Sequence, residues 1–72
     1  MRVAISTPSM EGYDAVTNDV LGMTKVFSEQ QIECQVFAVD CYIDAVPVRH
    51  AEEMRDYLRE ADEALRVHVR IR

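Results

Sequence analysis

The spacing of the apolar residues along the chain switches between every second residue and every third or fourth, and this constrains the fold more than any other feature. Residues 2–6, 33–39 and 65–71 alternate apolar and polar side chains, which predicts β-strands. Residues 15–31 and 48–63 carry apolar stripes at helical spacing. The pattern predicts an α/β domain with the order strand–helix–strand–helix–strand.

The same spacing assigns side chains to faces. In the first strand, Val3 and Ile5 point to one side, and Ala4 to the other. In the second strand, Val36 and Phe37 fall on opposite sides. The helix stripes follow from the same periodicity: Val16, Val20, Met23 and Phe27 in the first helix, and Ala51, Met54, Leu58 and Ala61 in the second, with Tyr57 at its edge.

The order of the strands stays open. Strands that alternate with helices pair in parallel through right-handed crossovers, so we expect a three-stranded parallel sheet, a βαβαβ unit. In order 3-2-1 both helices cover one face, whereas in order 2-1-3 they cover opposite faces. The third strand alternates its apolar residues with Arg66, His68 and Arg70. This alternation favours 3-2-1, because strands covered on both faces are apolar almost throughout.

The length and the net charge of the chain limit the classes of protein to which it can belong. A chain of 72 residues forms a single domain, residues 1–72, with a small core. It looks too short for a complete enzyme, so we expect a second copy or a missing C-terminal domain to provide a partner surface. The net charge of −5 disfavours binding to nucleic acid. No apolar run has the length of a membrane span, and we expect a cytoplasmic protein with Cys34 and Cys41 reduced.

The segment after the first strand, residues 7–14, reads as a loop punctuated by Pro8 and Gly12, with Asp14 as the helix N-cap. Ligands of α/β folds bind at this end of a strand, where exposed helix N–H groups favour anions. Gly12 allows the backbone to approach a phosphate, and Asn18 and Asp19 in the following helix can hydrogen-bond a sugar. The loop is neither GxGxxG nor a phosphate loop ending in GK[ST].

Other chemistry is sparse in the sequence. His68 lies on the third strand between two arginines, as a further residue that can contact a ligand. No set of nucleophile, base and acid is complete, so we assign no catalytic residue. The cysteines and histidines lack metal-binding spacing, and we expect neither a metal nor a cofactor.

Two stretches resemble a known family. GYDAVTNDVLGM, residues 12–23, and YLREADEALRVHV, residues 57–69, are similar to segments near the N-terminus of bacterial GT-B-fold glycosyltransferases of retaining family 4. In the first stretch the matching residues are Gly12, Asp14, Ala15, Val16, Asn18, Asp19, Val20 and Leu21. The third strand departs from the family pattern, because arginines interrupt what is a nearly continuous apolar run there.

The resemblance implies a partial Rossmann-like domain with strand order 2-1-3, forming the acceptor-side part of a sugar-nucleotide-dependent glycosyltransferase. It places Gly12 near the donor phosphates, Asn18 and Asp19 at the acceptor-facing start of a helix, and His68 in the cleft. In this family the C-terminal domain carries most of the donor site. We therefore expect this chain to bind a sugar nucleotide or an acceptor through its first loop, and to be inactive by itself.

An alternative function is a small α/β interaction module that forms a homodimer. An open sheet edge or a bare sheet face would supply the contact.

Overall fold

The computed structural model describes residues 1–11, 15–43 and 46–71. It is an α/β fold with a parallel sheet of four strands and two α-helices. The elements in chain order are β1 Arg2–Met10, α1 Ala15–Glu29, β2 Glu33–Cys41, β3 Val48–His50, a 3₁₀ turn Ala51–Glu53, α2 Met54–Arg59, a second 3₁₀ turn Glu63–Leu65, and β4 Arg66–Arg70.

The sheet has the order β3-β2-β1-β4, with every neighbouring pair parallel. In terms of the three strands predicted from the sequence this is order 2-1-3, and the preference for 3-2-1 is wrong. Val3 and Ile5 of β1 pack on the face that α1 covers, and Ala4 lies in the cluster with Tyr57 of α2. The two helices therefore cover opposite faces of one sheet.

The fourth strand, β3, lies within the segment predicted as the long second helix. Val48–His50 pairs with Val36–Ala38 of β2, so the prediction of three strands and of a helix over 48–63 is wrong. His50 then begins the 3₁₀ turn: its Nδ1 accepts the N–H of Glu52 at 3.1 Å, and its own N–H donates to Glu53 Oε2 at 3.2 Å. This capping box shortens α2 to six residues.

Strand β1 continues to Met10, so residues 7–10 are strand rather than loop. Pro8 is compatible with this because of where it lies. The N–H of Ile71 donates to the carbonyl of Ser6 at 2.8 Å, and the next rung of that parallel ladder requires an N–H from residue 8. Proline has none, so the pairing of β1 with β4 stops at this point.

The core is divided by the sheet. On the α1 face the buried apolar residues are aliphatic or Met: Val3, Ile5, Met10, Val20, Val36 and Ala38. On the α2 face the core is Ala4, Phe37 and Tyr57, with Met54 and Leu58 packed against it. The predicted faces of β1 and β2 are confirmed. Tyr57 lies at the centre of its helix contact rather than at the edge, because its ring packs edge-on against Phe37 with centroids 5.3 Å apart.

Gly22 is exposed on α1, and a Cβ atom added there would have nothing within 4 Å. Close packing against a neighbouring element therefore does not account for this glycine.

Candidate functional site

The strand order reverses between β1 and β4. From β1 the chain passes to β2 and β3 on one side, and then returns to place β4 on the other side of β1. In open α/β sheets a crevice forms at the carboxyl ends of the strands where such a reversal occurs, and ligands bind there. The topology therefore indicates where on this molecule a small ligand fits best.

A cavity of about 550 Å³ lies at this reversal, on the α2 face of the sheet. Ser6 and Pro8 of β1 line one wall, and His68 and Arg70 of β4 line another. Met54 contributes to the α2 side. The cavity combines an apolar surface with a few converging polar groups, as small-molecule sites commonly do.

The polar centre of this crevice is a pair formed by Ser6 and His68. The Oγ of Ser6 and the Nε2 of His68 are hydrogen-bonded at 2.7 Å, and they belong to adjacent strands. The two side chains meet because β1 and β4 place Ala4 beside His68, so both polar residues project from the same face of the sheet. The imidazole and hydroxyl can together hydrogen-bond a ligand hydroxyl or phosphate oxygen.

This pair lacks the third member of a hydrolytic triad. Among residues 1–11, 15–43 and 46–71, no carboxylate hydrogen-bonds to His68, and no group of three or more His, Cys, Asp and Glu side chains is placed to hold a metal ion. A nucleophile normally needs a base that a further group holds in orientation. As they stand, the two described side chains offer hydrogen-bonding groups for a ligand.

Arg70 supplies the charge at this end of β4. It lines the crevice, and it also lines a second groove of about 700 Å³ on the α1 face. Asn18 and Asp19 of α1 lie along that second groove, together with Ile71. A guanidinium at this position can form two parallel hydrogen bonds to a phosphate or a carboxylate.

The structure thus separates the residues predicted as one site. Asn18 and Asp19 are exposed on α1, on the opposite face of the sheet from His68. Gly12 and the predicted N-cap Asp14 lie outside the described residues. Ser6 and Arg70 were not predicted as site residues. Both lie at or next to the end of a strand predicted from the sequence, residues 2–6 and 65–71, and that position is the signal that would have indicated them.

The residue that follows β1 is anchored to α1. The backbone N–H of Glu11 donates to Oγ1 of Thr17 at 3.2 Å, and Thr17 is fully buried. Met10 is buried in the core on the same face. The hydrogen bond and the burial of Met10 together fix the end of β1 against α1.

The two cysteines are free thiols. Both lie on β2, seven positions apart, which is a separation of about 23 Å along a strand. A disulfide requires Cα atoms within about 7 Å, so these two cannot pair within one chain. Burial raises the pKa of the Cys34 thiol.

No helix in the described parts of the chain is long and apolar enough to cross a membrane. No protein-family model matches the chain, and neither a curated protein nor a solved structure matches it.

Proposed function

We propose that the chain is part of a Rossmann-like domain that binds a phosphate-bearing ligand in the crevice between the carboxyl ends of β1 and β4. The observation that carries this proposal is the reversal of strand order at which Ser6, His68 and Arg70 converge. Ser6 and His68 hydrogen-bond the ligand, and Arg70 neutralises its charge.

The resemblance in residues 12–23 extends this proposal to a role. The chain is the acceptor-side part of a sugar-nucleotide-dependent glycosyltransferase, and its crevice contacts the phosphates of a donor that a C-terminal domain holds for the most part. Strand order 2-1-3 with helices on opposite faces, which the resemblance implies, supports this role. Asn18 and Asp19 line the groove on the other side of Arg70, where they hydrogen-bond an acceptor hydroxyl.

The test is a titration followed by NMR of the ¹⁵N-labelled chain with UDP, UDP-glucose and GDP-mannose. We expect chemical-shift changes at Ser6, His68 and Arg70, which Arg70→Gln and Ser6→Ala both weaken. Ser9→Ala is the matched control, because Ser9 lies on the same strand but does not line the crevice. Unchanged spectra at millimolar ligand would remove the proposal, and so would equal weakening by Ser9→Ala.

The alternative of a homodimeric module is less well supported at the β4 edge. Two β4 strands paired antiparallel would place Arg66 of one copy near Arg70 of the other, and like charges opposite each other destabilise a sheet. This leaves the β3 edge or a face of the sheet as the contact for a dimer. Light scattering of the chain over a wide concentration range tests it, since a monomer throughout would eliminate this alternative.

A further inference from the structure

Strand β4 is an edge strand whose outer side is open. The N–H of Ile71 points to β1, where it bonds the carbonyl of Ser6. Backbone groups alternate sides along a strand, so the N–H and C=O groups of Arg66, His68 and Arg70 point away from β1. Within the described residues no strand lies beyond β4, and these backbone groups are available for another chain.

The α2 side of this edge is basic. The side chains of Arg66, His68 and Arg70 project there and are exposed. Beside them a cavity of about 330 Å³ between α2 and β4 is lined by Met54, Arg55, Leu58, Arg59 and Arg66. Arg59 also lies 3.5 Å from Asp56, which leaves the other arginines of this groove without an ion pair to a described residue. A chain of net charge −5 thus concentrates positive charge along this one edge.

The α1 side of the same edge is apolar. Val67 on this side is 36% exposed, although it is a large apolar side chain, and Leu65 in the 3₁₀ turn before β4 is 45% exposed. Val69 and Ile71 continue the row and are partly buried against the α1-face core. The two sides of β4 therefore favour different contacts: acidic groups on the α2 side and apolar groups on the α1 side.

We propose that β4 binds, as an added β-strand, an extended segment of a partner protein in which acidic and apolar residues alternate. Side chains on one face of a strand repeat every second residue, about 7 Å apart. Acidic residues at every second position of the added strand meet Arg66, His68 and Arg70, and the intervening apolar residues cover Val67. Backbone pairing gives the affinity and the alternation gives the specificity. A second copy of this chain does not fit, because its own β4 is basic.

The test uses hydrogen exchange measured by NMR, with a short synthetic peptide that alternates Glu and Val. We expect new protection of the amides of Arg66, His68 and Arg70. The amides of Val67 and Val69 should change little, because the same alternation already directs them to β1. A peptide with the same backbone that alternates Lys and Val should bind at least about tenfold more weakly.

Two further arms separate strand addition from attraction by charge alone. The Glu–Val peptide with alternate N-methylated residues, and inorganic polyphosphate, should give no amide protection. Equal amide protection by either, or protection that appears in the peptide-free chain as its concentration rises, would overturn the proposal.

Arg66→Glu should weaken the Glu–Val peptide about tenfold, whereas Lys25→Glu, an equal charge change on α1, should not. Arg66 does not line the β1–β4 crevice, so the outcome is independent of nucleotide binding. Equal weakening by the two variants would overturn the proposal.

Discussion

The two faces of the sheet are held together by different forces. The α1 face is covered by a helix of 15 residues over aliphatic side chains, and its interactions are almost entirely apolar packing. The α2 face is covered by a helix of six residues, whose main contact is one aromatic pair, Phe37 and Tyr57. Arginines complete this second face. The stability of the α2 face therefore depends on a few side chains and on charge, whereas the stability of the α1 face depends on the apolar area that is buried.

Arg2 shows how the α2 face is completed. Its guanidinium lies 4.7 Å from the centre of the Tyr57 ring and donates to the backbone carbonyl of Tyr57 at 2.9 Å. It also pairs with Glu60 at 2.8 Å and with Glu33 of β2. One residue thus ties the first strand to the end of α2 and to the neighbouring strand. No single side chain has a comparable role on the α1 face, among the described residues.

The largest effect is expected from Phe37→Ala, which removes half of the aromatic pair. Phe37 is fully buried, and such truncations cost about 3–5 kcal/mol of unfolding free energy. Val39→Ala is the control, because Val39 lies two residues along on the same strand and is 58% exposed. Urea denaturation measures both. If the two variants lose similar stability, the α2 face does not depend on its aromatic pair.

Tyr57→Phe keeps the ring and removes only the hydroxyl, which donates to the carbonyl of Val3 at 3.4 Å. We expect a loss of about 0.5–1.5 kcal/mol at neutral pH. Burial raises the pKa of Tyr57 to about 12, above its ordinary value of 10.0. Because the folded pKa is the higher one, the stabilisation is complete below pH 10 and is lost as the pH rises towards 12.

Thermal unfolding monitored by circular dichroism between pH 9 and about 12 checks this alkaline loss. The wild-type chain should lose stability there more steeply than Tyr57→Phe. Parallel curves for the two proteins would show that Tyr57 ionises equally readily in the folded and unfolded states.

A smaller change is expected from Arg2→Met, because exposed ion pairs contribute little in water. Methionine retains an apolar stem over the Tyr57 ring but loses the charge. We expect the melting temperature to fall at low salt, and the difference from wild type to shrink in 1 M NaCl, where the screening length is about 3 Å. Lys25→Met is the control, since Lys25 makes no ion pair with a described residue. A deficit that is independent of salt would assign the role of Arg2 to packing.

The smallest effect concerns Glu53 and acid. Hydrogen bonds from Arg49 and from the backbone of His50 hold the pKa of Glu53 below its ordinary value of 4.5. A depressed folded pKa means that the stabilisation is present above about pH 4.5 and disappears as the pH falls through the folded value. Glu53→Gln should therefore flatten the acid limb of the melting-temperature curve. An unchanged limb would mean that the Arg49–Glu53 pair does not stabilise the fold.

The sequence predicted the regular elements where periodicity is strong and local. The start of β1, the first helix and the faces of β2 follow from apolar spacing, and the structure confirms them, although the helix predicted over 15–31 ends at Glu29. Val48–His50 was missed because three residues are too few to show alternation, and pairing with β2 decides their conformation. The apolar residues after them do fall at helical spacing, which made one long helix the natural prediction.

The strand order and the crevice are properties of the whole sheet. Arg66 and Arg70 suggested a sheet with a bare face, but they lie on an edge strand that the six-residue helix α2 covers only in part. Ser6 and His68 are 62 positions apart, and nothing local indicates that they meet. Only the placement of β4 beside β1 brings them together.

The cysteines on β2 allow the protein to be labelled with a fluorophore without any change to its sequence. Cys34 is half-buried with a raised pKa, whereas Cys41 is exposed at the carboxyl end of β2, paired in register with Met10. Thiol reagents attack the thiolate, so near neutral pH a maleimide dye should label Cys41 first. Short labelling of the wild-type chain therefore places a fluorophore preferentially at Cys41, at the end of the sheet where the strands end and the crevice opens.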